Sequence, residues 1–238
     1  MINLSKRSNK KELLDGDVPF DHIKLNMQEL NTINKLLGGH RITLTGVKKI
    51  LKKTSSNARI RICEIGCGGG DNLMMIRKWA LQKNINVQFT GVDIKQECIT
   101  WCELQHNGSA TWICSDYKEV KFNSTPDIIF SSLFCHHFSN EQLAEMMVWM
   151  KENCSLGFFI NDLQRDHIAY HSIRLLTGAF SKSYLVKNDA PLSVARGFQK
   201  KDWENIFHLA NISCYSIDWK WAFRYLITFI HNPDDVKH

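Results

Sequence analysis

The densest run of chemistry-bearing residues is Ile62-Cys63-Glu64-Ile65-Gly66-Cys67-Gly68-Gly69-Gly70-Asp71, which reads as a buried strand entering a glycine-rich turn. Glycine tolerates positive φ and, with no Cβ, lets a ligand press against the backbone, so Gly66, Gly68 and Gly70 mark a cradle. A helix predicted over 72–81 points its positive end at the same spot and favours a ligand carboxylate there. Glu64, just upstream, suits a cationic group instead. Two more acids stand at predicted strand ends, Asp93 closing 87–93 and Asp116 just past 110–114. Two adjacent histidines, His136 and His137, follow a strand at 127–133. With an unperturbed pKa near ~6.5, histidine is the natural general base for such a place.

The elements that must position these residues alternate as in a doubly wound α/β sheet, whose ligand crevice lies at a strand–glycine loop–helix junction. From Arg59 onward, strand one leads to a helix, strand two to a helix at 95–106, and strand three to a short connection. Strand four (127–133) is followed by a helix at 140–153 with cap-type residues Ser139 and Asn140 at its start. Strand five (156–160) ends at Asn161-Asp162. A longer segment, 163–199, carries a predicted helix at 165–176 and a loop at 188–193. A helix at 198–210 and two strands, 212–219 and 223–230, close the series as an antiparallel edge hairpin. Ahead of the sheet, 1–11 reads as a frayed arm. Residues 12–37 have helical apolar spacing broken at Asp15-Gly16 and Pro19, and a further helix spans 42–53. This divides the chain into an N-terminal helical cap, 1–58, and a ligand-binding domain, 59–238, with an acceptor-side insertion at about 163–199.

The dinucleotide fingerprint needs glycine or alanine at the sixth loop position, where Asp71 stands, so it fails. What remains, acid-x-Gly-x-Gly-x-Gly with Glu64 as the acid, resembles motif I of the class I S-adenosylmethionine (SAM)-dependent methyltransferases. The resemblance spans about 59–231 and implies an α/β fold: a doubly wound, mostly parallel seven-stranded sheet of the Rossmann-like methyltransferase type with an antiparallel C-terminal edge hairpin. It implies SAM as cofactor and S-adenosylhomocysteine (SAH) as product. Glu64, Gly66, Cys67, Gly68, Gly70 and Asn72 are then expected to hold the cofactor from the loop side. Asp93, at about the ~20-residue spacing of a ribose-hydroxyl acceptor, is the expected ribose ligand. Ile94 is expected beside the adenine, Asp116 on its amino group and Tyr117 over its ring, with Ser131 on strand four as a further contact.

Methyl transfer from a sulfonium is an in-line displacement, so alignment and water exclusion are the main demands. A hydroxyl acceptor gains from a base, and His136 and His137 are the candidates. The alternative is that Phe134-Cys135-His136-His137-Phe138 is a form of the family's motif IV that only shapes the channel. His167, Tyr170 and His171 are secondary candidates. Several subclasses do not fit. The Asn/Asp-Pro-Pro-aromatic signature of amino-methylating nucleic-acid enzymes is replaced by Ser131-Ser132-Leu133-Phe134, and no Pro-Cys nucleophile exists. Strand four ends without the acid used by metal-dependent catechol enzymes, and Asn161-Asp162 reverses their Asp-Asn pair, so no metal is expected. The segment 163–199 is similar to small-molecule methyltransferases of polyketide and quinone-like pathways. The expected acceptor is therefore a small molecule, methylated at a phenolic, polyketide or quinone-like hydroxyl. An RNA or protein methyltransferase and a catalytically silent SAM-binding partner subunit are the alternatives.

Composition agrees with an ordinary globular chain: 238 residues, 44% hydrophobic and 23% charged. No apolar run is long enough for a membrane span, and Met1 to Arg7 lacks a signal peptide's apolar core, so a cytoplasmic location is expected. The eight cysteines contain no C-x-x-C pair and read as reduced structural thiols. The net charge of +6 gathers at Lys6, Arg7, Lys10 and Lys11 and again at Lys48, Lys49, Lys52, Lys53, Arg59 and Arg61. Such clusters serve as solvated helix faces more often than as nucleic-acid surfaces, so nucleic acid is not the expected partner.

Overall fold

The computed structural model describes residues 3–52 and 59–232. Its strands are β1 (Ile60–Ile65), β2 (Val87–Asp93), β3 (Thr111–Cys114), β4 (Ile128–Ser132), β5 (Gly157–Leu163), β6 (Tyr215–Lys220) and β7 (Arg224–Ile230). They form one seven-stranded sheet in the order β3-β2-β1-β4-β5-β7-β6. β1 to β5 run parallel, and β7 lies antiparallel between β5 and the edge strand β6. The expected fold class and edge hairpin are both present. Chain order reverses between β1 and β4, and such a switch point opens a crevice at the strands' C-terminal ends. β4 is buried throughout and β1 nearly so, which is why their sequences read as continuous apolar runs rather than alternating ones.

The helices are α1 (Phe20–Leu36), α2 (Gly39–Leu51), α3 (Asp71–Gln82), α4 (Gln96–His106), α5 (Asn140–Glu152), α6 (His167–Phe180), α7 (Tyr184–Arg196) and α8 (Lys200–Leu209). On one face of the sheet, Met146, Met147 and Met150 of α5 and Trp203 and Phe207 of α8 share a core with Phe158. On the other, Ile42, Val47 and Ile50 of α2 join Leu73 and Ile76 of α3 over Ile62, Phe130 and Phe159. α2 lies close enough that a Cβ on Gly46 would fall 2.5 Å from the Phe159 ring. Ser139 caps α5 as expected, accepting from the Gln142 N–H while the Gln142 side chain returns to the Ser139 N–H.

Three local expectations need correction. The arm over 1–11 is docked where it is described: Leu4 is buried, the Ser8 N–H donates to the Ala195 carbonyl at 3.0 Å, and the Arg7 guanidinium sits 4.2 Å over the Phe198 ring. Its polar composition concealed this because Arg7 spends its donors on the carbonyls of Arg196, His136 and Phe138. The loop predicted at 188–193 is instead the second half of α7, with Pro191 inside the helix. Its turn-forming Asp189 is used at long range, accepting the Leu13 and Leu14 N–H groups at 2.9 and 3.0 Å. The second N-terminal helix starts at Gly39, three residues earlier than expected, after Gly38 breaks the chain at φ 77°. Lys53 and the 58/59 boundary between cap and domain fall against residues 53–58, outside the described residues. Among the described residues no helix is long and apolar enough to cross a membrane.

Candidate active site

The glycine loop turns between β1 and α3 with φ of 66° at Gly66, 50° at Gly68 and 75° at Gly70. The positions differ in what they face. A Cβ on Gly66 would lie 2.3 Å from the Phe134 ring, whereas at Gly68 nothing comes within 4 Å. Gly66 is thus kept small by an aromatic lid, and Gly68 borders open space that a ligand can fill. Asp93 at the end of β2 ties the loop down, accepting the N–H groups of Gly68 and Lys95, each at 2.9 Å. Burial pushes its carboxyl up, partly offset by those two N–H donors.

Gly66, Asp93, Ile94, Asp116 and Tyr117 line a single cavity of about 90 Å³ together with Phe134 and Phe138. The expected ribose- and adenine-side residues therefore converge. Asp116 accepts the Lys118 N–H through Oδ1 at 3.0 Å, capping a short 3₁₀ turn that presents Tyr117. The Tyr117 ring packs edge-on against Trp149 and Phe138, and burial pushes its hydroxyl up. Ile94 is 68% exposed at the rim. Two expected contacts do not reach this cavity by their side chains. Ser131 is fully buried with Oγ 3.3 Å from the Cys135 sulfur, and Cys67 is buried, its Sγ within 3.0 Å of where a Gly91 Cβ would be.

Below the loop runs a chain of side chains that includes Glu64 and Asn72, both expected at the cofactor, and links them to His40, Asn31 and Asp71. Asn72 donates to Glu64 Oε1 at 2.8 Å and meets His40 Nδ1 at 2.9 Å. His40 Nε2 meets Asn31 Oδ1 at 2.9 Å, and Asn31 donates to Asp71 at 2.6 Å. Two ionised carboxylates would orient both amides so that His40 must donate from each nitrogen. Burial first, and then Arg224 and Lys35, disfavour that charged imidazole, although the Asn72 bond supports it. Glu64 lies in the opposite situation, its carboxyl pushed well up by burial. A proton on Glu64, with the Asn72 amide turned over, satisfies every contact around a neutral His40. Glu64 Oε2 is buried without a partner, so this corner has an acceptor to offer a cationic ligand group.

Burial also raises Asp71 from 3.8 to about 6. Because the native state holds this proton more tightly than the unfolded chain, Asp71 lowers stability above pH 6 and the cost fades as pH falls from about 6 toward 3.8. Asp71→Asn should therefore raise unfolding free energy at pH 7 by about 1–2 kcal/mol. The full shift is larger, but the charged acceptor for Asn31 is lost. The gain should vanish near pH 4. Urea unfolding of the ligand-free protein at both pH values checks this, and an equal change at both would show that Asp71 is not the titrating group.

His136 and His137 lie on the 3₁₀ turn Cys135–His137 after β4, but they do not line the cavity beside the glycine loop. They line a neighbouring cavity of about 460 Å³, and Phe138 borders both spaces. Each ring has a carboxylate on Nδ1: Asp162 at 2.8 Å from His136 and Asp15 at 3.0 Å from His137. Asp162 is fully buried. Burial pushes its carboxyl up, but His136 and the Leu163 N–H outweigh that and leave it below the ordinary range. Asp15 is also lowered; burial opposes this, and the hydrogen bond and charge of His137 prevail. The Nε2 atoms point to Glu12, 3.6 Å from His136 and 3.9 Å from His137. Arg196 fixes the turn, donating Nε–H to the His136 carbonyl at 3.0 Å and Nη2–H to the His137 carbonyl at 2.9 Å. Glu12, Asp15 and Arg196 were not among the sequence candidates, because nothing local marks them. The secondary candidates His167 and His171 are exposed on α6.

Comparison with known proteins agrees with this geometry. A family model described as a methyltransferase domain matches residues 62–155, the stretch from β1 through α5. Residues 62–155 thus match a methyltransferase domain, and the fold is the Rossmann-like fold of the class I SAM-dependent methyltransferases. Among solved structures it is similar to the plantazolicin methyltransferase BpumL in complex with SAH, at 20% identity and a TM-score of 0.60 over 81% of this chain and 72% of that one. It is also similar to the magnesium protoporphyrin IX methyltransferase ChlM from Synechocystis PCC 6803 with bound SAM, at 11% identity and 0.53 over 92% and 88%. A third likeness is to human N-acetylserotonin methyltransferase in complex with SAM, at 13% identity and 0.57 over 87% and 55%. At such identities the likeness is one of fold. A search of curated proteins finds no match.

Proposed function

We propose that this protein transfers the methyl group of SAM to a small molecule, at a hydroxyl oxygen of a phenolic, polyketide or quinone-like acceptor, as a cytoplasmic enzyme. The observation that carries this is the convergence of Gly66, Asp93, Ile94, Asp116 and Tyr117 on one cavity at the switch point, with Gly68 open beside it. SAM supplies a methyl group activated by its sulfonium. Asp93 is suited to its ribose hydroxyls, Asp116 to its adenine amino group, and the buried, unpartnered Glu64 oxygen to its ammonium. Solved neighbours named with bound SAM or SAH support the same cofactor.

On the acceptor side, Phe134 and Phe138 offer flat apolar surface between the two cavities. A hydroxyl needs its proton taken, and His136 and His137 are proposed for this. With Nδ1–H held by a carboxylate, each imidazole has its accepting lone pair at Nε2. The basic N-terminal residues favour this over an RNA acceptor because several are already engaged: Arg7 on backbone carbonyls, Lys48 over Trp79, and Lys49 on Asp218 at 2.7 Å. The test is SAM binding by calorimetry, followed by SAH release and mass gain of one methyl group on a panel of phenols and hydroxyquinones. SAM binding with transfer to a phenol is expected. Transfer only to RNA or protein would overturn the acceptor class, and absence of SAM binding would overturn the whole reading.

A further inference from the structure

We propose that Glu12, His136 and His137 form a site for one divalent transition-metal ion of the zinc type, which clamps the N-terminal arm to the turn after β4. The three donor groups can place ligand atoms within 4.8 Å of one another. Bonds of 2.0–2.2 Å to a tetrahedral zinc put ligand atoms roughly 3.3–3.5 Å apart. His136 Nε2 lies 3.6 Å from Glu12 Oε1 and His137 Nε2 3.9 Å from Glu12 Oε2, so each ring faces one oxygen of the same carboxylate and each of these pairs must close by a few tenths of an ångström. Those same distances are too long for good hydrogen bonds. The groups converge on a common point without bonding one another, which suits an ion between them and does not suit a simple ion pair.

The surroundings reinforce this. A metal-bound histidine characteristically gives its other ring N–H to a carboxylate, which fixes the tautomer and raises ligand basicity. Here both do, through Asp162 and Asp15. Adjacent residues on a 3₁₀ turn normally point about 120° apart, yet these two rings sit 4.4 Å apart between centroids. Arg196 holds the turn in that form by its bonds to both carbonyls. Glu12 is positioned independently, its Oε1 accepting from Ser193 at 2.8 Å. Two histidines and one carboxylate leave a fourth position for water. His137, at 23% side-chain exposure against 3% and 5% for the others, is the ligand nearest solvent. In the loaded protein both Nε2 atoms would be ligands, and a hydroxide at the fourth position, rather than a bare imidazole, would take the acceptor's proton and become bound water.

The expected absence of a metal rests on the missing acid at the end of β4 and the reversed Asn161-Asp162 pair on β5, and neither bears on this ligand set. Glu12 comes from outside that motif, 124 residues before His136.

The test uses the untagged full-length chain, stripped with a chelator and titrated with Co²⁺ and then Zn²⁺. One Co²⁺ per chain with a visible d–d band, displaced by Zn²⁺ and accompanied by a higher melting temperature, is expected. His137→Ala and Glu12→Gln should each weaken binding at least about 100-fold, and Asp15→Asn about 10–100-fold through the ring it orients. Cys114→Ser with Cys214→Ser, removing the exposed thiols, should leave the titration unchanged. If Glu12→Gln fails to fold, His137→Ala, at the ligand nearest solvent, decides. No saturable Co²⁺ binding, or binding undiminished in His137→Ala, overturns the site. This readout is separate from turnover: failure of metal binding leaves the proposed methyl transfer standing, and metal binding without methyl transfer overturns only that function.

Discussion

Replacing His137 by alanine should slow methyl transfer by about 10²–10⁴-fold while leaving SAM affinity nearly unchanged. The split follows from the geometry: His137 lines the cavity beyond Phe138 and not the one beside the glycine loop. His137 is the better choice for the experiment than His136. Removing the His136 ring would leave Asp162 ionised and fully buried without its ring partner, and breaking a buried pair of that kind costs about 3–5 kcal/mol. Asp15, opposite His137, keeps Arg196 at 3.1 Å and lies nearer solvent. The measurement is a single-turnover rate with one phenolic acceptor, alongside calorimetry with SAM. A near-wild-type rate in folded His137→Ala would mean that the turn only shapes the channel, and that transfer proceeds by alignment alone.

The parts of the site visible in the sequence are those that chain order dictates. A strand, a glycine turn and a helix lie next to one another in sequence and in space, so the loop and the strand-end acids could be placed from local pattern. Asp93 and Asp116 both stand at C-terminal strand ends, where the topology gathers ligand residues. Where the reading depended on side-chain direction within an element it was less secure. Ser131 lies on β4 at the crevice, but its hydroxyl turns to Cys135. The histidine cluster was only half visible for a different reason. His136 and His137 announced themselves as a pair, but their partners come from the stretch where the N-terminal helical pattern breaks at Asp15-Gly16, from the end of β5 and from α7. Asp15 lies 181 residues from Arg196, which bonds it. Pairings at that separation leave no local trace. The same holds for α7: Asn188-Asp189-Ala190-Pro191 has the residues of a turn, and only the docking of Asp189 onto the Leu13 and Leu14 N–H groups explains why it is a helix.

Asp93→Ala should weaken SAM binding by about 1.5–3 kcal/mol, roughly 10–150-fold, with the fold intact. Two losses add here. The first is the charge-assisted contact proposed to the ribose. The second is visible without the cofactor: the Gly68 N–H donates to Oδ2 and the Lys95 N–H to Oδ1, so the carboxylate sets the shape of the loop that receives the ligand. Removing it frees the N–H of Gly68, the loop glycine whose Cβ side borders open space, and leaves its carbonyl held by the Cys102 thiol. The expected loss therefore falls toward the upper end of the range. Stability should change little, because burial raises the Asp93 carboxyl and removing the charge relieves that penalty as the two N–H bonds are lost. Asp93→Asn separates the two contributions. It keeps an acceptor for one N–H but turns an amide donor toward the other, so affinity should be intermediate. Calorimetry on the three proteins, with circular dichroism to confirm folding, makes the comparison. Unchanged affinity in folded Asp93→Ala would remove Asp93 from the cofactor site and show that the loop receives the ligand without its two N–H bonds.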